Sequence, residues 1–191
     1  MLTAKEGTRF YRALQYIKPA IGRADYRWWT SGIVPDGAPA YAVNAPPPPI
    51  ETVIRNGLFC AALPNLMLRV VGKRIPTRGN ALYDGGIAAY WHTSAWGLGD
   101  GYFAGYERRF HLPTAKRWAR ESRSGVLIGR SYRNVSDQGH VGILLPSGYV
   151  LQSDAAQGLH WNNTIEVDHW GYYYEWMVPS GDWINYEGDE V

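Results

Sequence analysis

Two apolar runs, His140-Val141-Gly142-Ile143-Leu144-Leu145 and Tyr149-Val150-Leu151-Gln152, stand on either side of Pro146-Ser147-Gly148. β-Branched and aliphatic residues flanking a short Pro/Gly turn specify a hairpin of two antiparallel strands. That pairing decides what else the chain can form, because a sheet with an apolar face needs a second layer to cover it. Val126-Leu127-Ile128 and the stretch from Gly171 to Val178 supply two further strand-like runs. The first part of the chain has a different period. Phe10, Leu14, Ile17 and Ile21 fall at helical spacing behind Thr3-Ala4-Lys5-Glu6, which has the form of a capping box, so a helix is expected over 4–18. Pro19 and Gly22 end it. A short helix from Ile50 to Asn56 stops at Gly57, and another, opened by Pro113, runs to Arg123. Helices first and an antiparallel sheet second define an α+β fold. At 191 residues the chain suits a single domain over 1–191, with the acidic, aperiodic 185–191 read as the start of a linker. Residues 22–49 and 79–105, rich in Gly, Pro, Trp and Tyr, read as ordered loops, the second with one helical stretch near Ile87 to Trp91.

The segment from Leu58 to Gly72 holds the only cysteine. Leu63, Leu66, Met67, Val70 and Val71 repeat at the spacing of a helix packed on a core. Pro64 would break that helix in its interior, but it is tolerated in the first turn, where its missing N–H has no intrahelical partner. The helix therefore starts at Cys60 or Ala61. A cysteine at a helix start feels the positive end of the helix dipole, which favours the thiolate and lowers the thiol pKa. A nucleophile of this kind also needs a base and a group that orients the base. His140 opens the first hairpin strand, and pairing around Ser147-Gly148 brings Gln152 or Asp154 beside it. Taken singly, a lone Cys is more often a buried small hydrophobe, and a lone His at a strand start a surface or satisfied core residue. Taken together, a helix-start Cys, a strand-start His and an amide on the next strand match a papain-type arrangement.

These residues carry a resemblance. Gly139-His140-Val141-Gly142-Ile143, a turn, and a polar residue twelve positions after the His resemble the His hairpin of NlpC-type cell-wall cysteine peptidases, with Gln152 at that position. The family's third residue is commonly His, with Asn or Gln also found. Around the nucleophile the family has Asp-Cys-Ser-Gly, where this chain has Phe59-Cys60-Ala61-Ala62. Asp25-Tyr26-Arg27-Trp28 is similar to the family's upstream Tyr motif. Leu159-His160-Trp161-Asn162 and the closing Tyr and Trp residues resemble N-terminal peptidase domains of mycobacteriophage and related actinobacteriophage lysins, which makes Asn162 a rival for the third role.

The resemblance implies a papain-like NlpC-type fold, with the Cys at a helix start packed on an antiparallel sheet that carries the His. It implies a phage endolysin catalytic domain, a cysteine endopeptidase cutting the peptidoglycan stem between D-glutamate and diaminopimelate. Cys60 would be the nucleophile and His140 the base. Gln152 would orient the imidazole, with Asn162 and Asp154 as alternatives, and the Tyr26 hydroxyl would join the Cys60 N–H at the oxyanion. Such an enzyme needs no cofactor or metal, acts as a monomer, and reaches the wall from the host cytoplasm through a holin-type pore. Two other readings stay open: a CHAP-type amidase, and a non-catalytic peptidoglycan-binding domain on the same fold. Rapid alkylation of Cys60 near neutral pH is expected of a catalytic thiolate and not of a structural thiol.

Composition narrows the alternatives. One Cys excludes a disulfide framework or a multi-Cys metal site. No H-E-x-x-H occurs; Glu166-Val167-Asp168-His169 with His160 is the only carboxylate–histidine concentration, and no zinc site is expected there. Gly97-Leu98-Gly99-Asp100-Gly101 lacks the spacing of a nucleotide loop. The formal net charge of +2 gives no electrostatic footprint for nucleic acid. Its distribution is uneven: residues 1–133 hold all nineteen Lys and Arg and eight acidic residues, a balance of +11, while 134–191 hold nine acidic residues and no Lys or Arg, a balance of −9. Mutual attraction of the two halves is the simplest consequence. The eight basic residues from Arg108 to Arg133 read as a solvated helix face. No apolar run approaches the ~18 residues of a membrane span, and the polar start Thr3-Ala4-Lys5-Glu6 is unlike a signal peptide. Nine Trp and fourteen Tyr against four Phe favour rings with a polar handle, suited to a wet groove that holds an extended polymer.

Overall fold

A computed structural model describes residues 4–27, 47–72, 111–130, 140–163, 176–178 and 183. Helix α1 spans Arg9–Ile17, and it starts at Arg9, not at residue 4 as the capping-box pattern suggested. Gly7, at φ 82°, turns the chain away from helical geometry, and Thr8 becomes the cap: its Oγ1 accepts from the Tyr11 N–H at 3.1 Å. Such a cap contributes about 1 kcal/mol. Phe10, Leu14 and Ile17, all buried, contribute about 2 kcal/mol each and decide which face turns inward. A 3₁₀ turn over Lys18–Ala20, holding Pro19, ends the helix. Helix α2 is Ile50–Asn56, and Gly57 at φ 81° closes it through its N–H to Val53 O at 2.9 Å.

Helix α3 covers Ala62–Val70 with Ala61 as its cap, so Pro64 does lie in the first turn. The helix begins one or two residues later than expected, so Cys60 lies just before the cap and not at the first turn. The helix is buried from Ala62 through Arg69, so the five-residue stripe marks only part of what it buries. Burial lowers the Arg69 pKa to about 10, and burial raises that of nearby Tyr16 on α1 to about 12. Helix α4 is Leu112–Ser122, with Pro113 in its first turn and Arg123 in left-handed geometry at its end.

The strands are β1 (Val126–Arg130), β2 (His140–Leu144), β3 (Tyr149–Asp154), β4 (Gly158–Asn163) and β5 (Trp176–Val178). They form one antiparallel sheet in the order β4-β3-β2-β1-β5. The hairpin around Ser147-Gly148 is present, with Ile143 opposite Leu151 and Leu144 opposite Val150. Strand β4 was not anticipated, and of the run from 171 to 178 only Trp176–Val178 is a described strand. Alternate residues feed two cores. Leu127, Ile143, Leu151 and Leu159 pack with Phe10 and Leu14 of α1 and Leu66 and Met67 of α3, while Val126, Ile128, Leu144 and Val150 pack with Ala115 and Ala119 of α4. Trp183 closes the first core: its ring centroid lies 5.4 Å from that of Phe10, and its Nε1–H donates to Gly125 O at 3.3 Å. The fold class is thus α+β, with helices on an antiparallel sheet. No helix of the described residues is long and apolar enough to cross a membrane. The helical stretch expected at 87–91, most of the two Gly/aromatic loops, the 166–169 cluster and the 185–191 tail lie outside the described residues.

Candidate active site

Main-chain bonds bring three remote segments together. The strap after the 3₁₀ turn runs along the edge of β4, where Gly22 N–H donates to Leu159 O at 2.8 Å and Leu159 N–H donates to Ala24 O at 2.9 Å. Leu58 N–H donates to Asp25 O at 2.8 Å, and the Ser153 hydroxyl on β3 donates to Leu58 O at 2.6 Å. The cysteine loop is thus tied on one side to the strap and on the other to β3, which fixes Tyr26 and Cys60 relative to each other. The Tyr26 hydroxyl hydrogen-bonds to the Cys60 thiol and accepts from the Cys60 N–H. An oxygen with that pair of partners lies where sulfur and backbone donor converge.

Cys60 also meets β2. The β2–β3 ladder is confined to Ile143↔Leu151 and Leu144↔Val150, so the strands separate toward the start of β2. Leu145 N–H points across to Tyr149 O at 2.8 Å, and by the alternation of a strand the Val141 N–H points to the same side. There it donates to the Cys60 sulfur. The sulfur therefore lies against the peptide bond that joins His140 to Val141.

His140 is held in turn. Its Nε2 lies 2.9 Å from Gln152 Oε1, on the residue twelve positions ahead. Gln152, itself buried, continues through its Nε2 to His160 Nε2 at 3.2 Å and to Asp154 Oδ2 at 3.5 Å. The structure thus pairs Tyr26 with Cys60 and His140 with Gln152, and the main-chain N–H of Val141, next to His140, joins the two pairs. Asp154 bonds to Gln152 and lies 3.5 Å from His160 Nε2, behind the amide. Asn162 sits opposite Val150 on β4, and its side chain lies outside the described residues. His160 was missed as a member of this group. The signal was the second hairpin: with Asp154 paired to Gly158, residue 160 falls opposite Gln152 and shares its face.

The electrostatics correct one expectation. Cys60 is 6% exposed, and burial pushes its thiol pKa up, against the lowering by the Val141 N–H, the Tyr26 hydroxyl, and the Ala61 and Cys60 N–H groups. Desolvation of a thiolate outweighs the helix-start field, because the sulfur lies behind the cap, within the core. Tyr26 is raised as well, by burial first and then by the nearby Cys60. The resting protein therefore holds a thiol and a phenol at neutral pH. Iodoacetamide alkylation of Cys60 should be slow at pH 7 and still climbing above the ~8.5 of a free cysteine; a plateau below pH 7 would contradict this and reveal a preformed thiolate. Stability follows the same sign. A raised acid stabilises the fold in full below the unfolded pKa and loses that contribution as pH rises through the folded value.

Compared with known proteins, the chain matches no family model, no curated protein and no solved structure.

Proposed function

We propose that the chain is a cysteine peptidase with a papain-like NlpC-type arrangement, acting on the stem peptides of bacterial peptidoglycan as the catalytic domain of a phage endolysin. The observation that supports this reading most is the pairing of Tyr26 with Cys60, whose sulfur accepts from the N–H of Val141, beside a His140 whose ring is held by Gln152. A buried thiol packed as a mere hydrophobe needs no hydroxyl and strand N–H around it, nor an imidazole oriented by an amide on the residue beside that N–H.

In this mechanism Gln152 occupies Nε2 of His140, so Nδ1 is the nitrogen that exchanges protons with sulfur. As substrate binds, the Cys60 proton passes to Nδ1 and the sulfur attacks the carbonyl carbon. The tetrahedral oxyanion accepts from the Tyr26 hydroxyl and the Cys60 N–H, which in the resting protein are bonded to the thiol and to the Tyr26 oxygen and turn to the oxyanion as it forms. The imidazolium then protonates the leaving amine, the C–N bond breaks, and a thioester remains. Water, deprotonated by His140, attacks the thioester, releasing the carboxylate and restoring the thiol. General-base activation of this kind suits a thiol whose pKa burial has raised.

The burial of Cys60 also favours a second reading, a catalytically silent wall-binding domain on the same fold. Purified diaminopimelate-type peptidoglycan separates the two. The wild-type chain should release new amino groups, with mass-mapped fragments cut inside the stem between D-glutamate and diaminopimelate, and iodoacetamide pretreatment at pH 9 should stop the release. Free lactyl-glycan ends would identify a CHAP-type amidase instead. No release, with the chain pelleting on the walls, would overturn the enzyme reading.

A further inference from the structure

We propose that His160 is a positioning residue: it sets which way the Gln152 amide points, and through the amide which ring nitrogen of His140 carries the proton. The consequence for catalysis rests on the peptidase reading; the orientation itself does not.

The argument begins at an atom with one capability. Gly158 O can only accept, and it lies 2.9 Å from His160 Nδ1, so that nitrogen carries hydrogen. A ring with its one hydrogen at Nδ1 presents a lone pair at Nε2, 3.2 Å from Gln152 Nε2 and 3.5 Å from Asp154 Oδ2. An amide NH₂ can donate to it and an amide oxygen cannot. Asp154 reinforces the choice, because its Oδ2 is a second acceptor 3.5 Å from the same amide nitrogen. That carboxylate is pinned from behind, its Oδ1 accepting from the N–H groups of Ala156 and Gln157, each at 2.9 Å. Two acceptors thus converge on one end of the Gln152 amide. The other end, Oε1, must face His140, and at 2.9 Å from Nε2 it accepts that ring's proton. His140 is left as the Nε2–H tautomer, basic at Nδ1.

A flipped amide would give the reverse. An NH₂ aimed at His140 Nε2 draws the proton to Nδ1, where the ring is a donor and no base. A wrong-tautomer substitution in a serine peptidase triad costs about 10⁴-fold in kcat. Here Asp154 still biases the amide when His160 is removed, so the expected loss is roughly 10–100-fold, the usual cost of losing a group that orients a ligand or base from behind. Burial of both Gln152 and His160 keeps water from substituting for the missing acceptor.

Long-range ¹H–¹⁵N correlation of the histidine rings tests the orientation without any substrate. In the wild-type chain at neutral pH, His140 should be the Nε2–H tautomer and His160 the Nδ1–H tautomer; His140 protonated at Nδ1, or His160 protonated at Nε2, would overturn the proposal before any variant is made. His160→Phe keeps a ring but no acceptor, and should give a mixed His140 tautomer with kcat on peptidoglycan lowered 10–100-fold and KM little changed. His160→Gln, which restores an acceptor, should recover most of both. Gln152→Glu placed in the His160→Phe background should also restore the His140 tautomer, since a carboxylate accepts from either oxygen and needs no orientation. A His160→Phe chain with an unaltered tautomer and unaltered kcat removes the role. A wild-type chain that shows both tautomers but cleaves nothing keeps the role and removes the peptidase reading.

Discussion

Cleavage of stem peptides should fall by at least about 10³-fold in Cys60→Ser and in His140→Ala, with the double variant no worse than either alone. Nucleophile and base act as a unit, so removing one leaves the other without a task. Initial rates of amine release from peptidoglycan, read beside thermal unfolding, separate chemistry from folding. Cys60→Ser places a hydroxyl where the Tyr26 hydroxyl and the Val141 N–H are already at hand, so its stability cost should stay near the ~1 kcal/mol of one altered hydrogen bond. The serine also removes the high-pH loss of stability that the raised thiol brings. His140→Ala takes from Gln152 Oε1 its ring partner at 2.9 Å and should cost about 1–3 kcal/mol, short of unfolding a domain. A variant of either residue that retains a tenth or more of the wild-type rate would return Cys60 to the role of a core residue.

The hairpin was legible because its signals are local. Apolar alternation and a Pro-Ser-Gly turn determine β2 and β3 within about fifteen residues of chain and put Gln152 or Asp154 beside His140; the family resemblance chose Gln152, which is the residue the ring meets. Pro64 likewise located the start of α3 to within two residues, since a proline's lost N–H is cheap only in the first turn. The start of α1 misled for a local reason too: Gly7 adopts left-handed geometry inside the expected helix, and Thr8 after it supplies the cap.

What the sequence hid are the contacts between remote segments. Burial of Cys60 reverses the pKa shift expected from its place at a helix start, and burial is a property of what α1, α3 and the sheet do together. Strand β4 carries an Asn pair and a His in a short run, weak as a strand signal, and with it went the role of His160. Its place opposite Gln152 depends on the register of a turn built by the Asp154 carboxylate, which accepts from two N–H groups of that turn. Tyr26 was placed by resemblance alone; the bond from Leu58 to Asp25 that holds it crosses a stretch of chain in which no period points to the pairing.

Gly158→Ala should test how far the site depends on that crossing. Gly158 sits at φ +66°, and a Cβ there would stand 2.4 Å from Ala24 O and 3.0 Å from Asp25 Cα, both of them backbone atoms that no rotamer change can move aside. Left-handed geometry alone costs an L-residue roughly 1–2 kcal/mol. Gly22, at φ +74° with nothing within 4 Å of its Cβ position, isolates that part: Gly22→Ala should lose about 1 kcal/mol and leave the site intact. Gly158→Ala should lose roughly 2–4 kcal/mol, because the strap must also withdraw from the edge of β4. For a chain of this length that is a melting temperature lower by about 5–15 °C. The displacement bears on chemistry as well as stability. Ala24 and Asp25 lead directly to Tyr26, and Gly158 O is the acceptor that sets the His160 ring. Cleavage by Gly158→Ala, measured well below its melting temperature, should therefore fall more than the folded fraction does, through loss of the oxyanion donor and of the oriented amide together. If Gly158→Ala melts and cleaves as Gly22→Ala does, the strap does not hold Tyr26 against Cys60 in the way these bonds require.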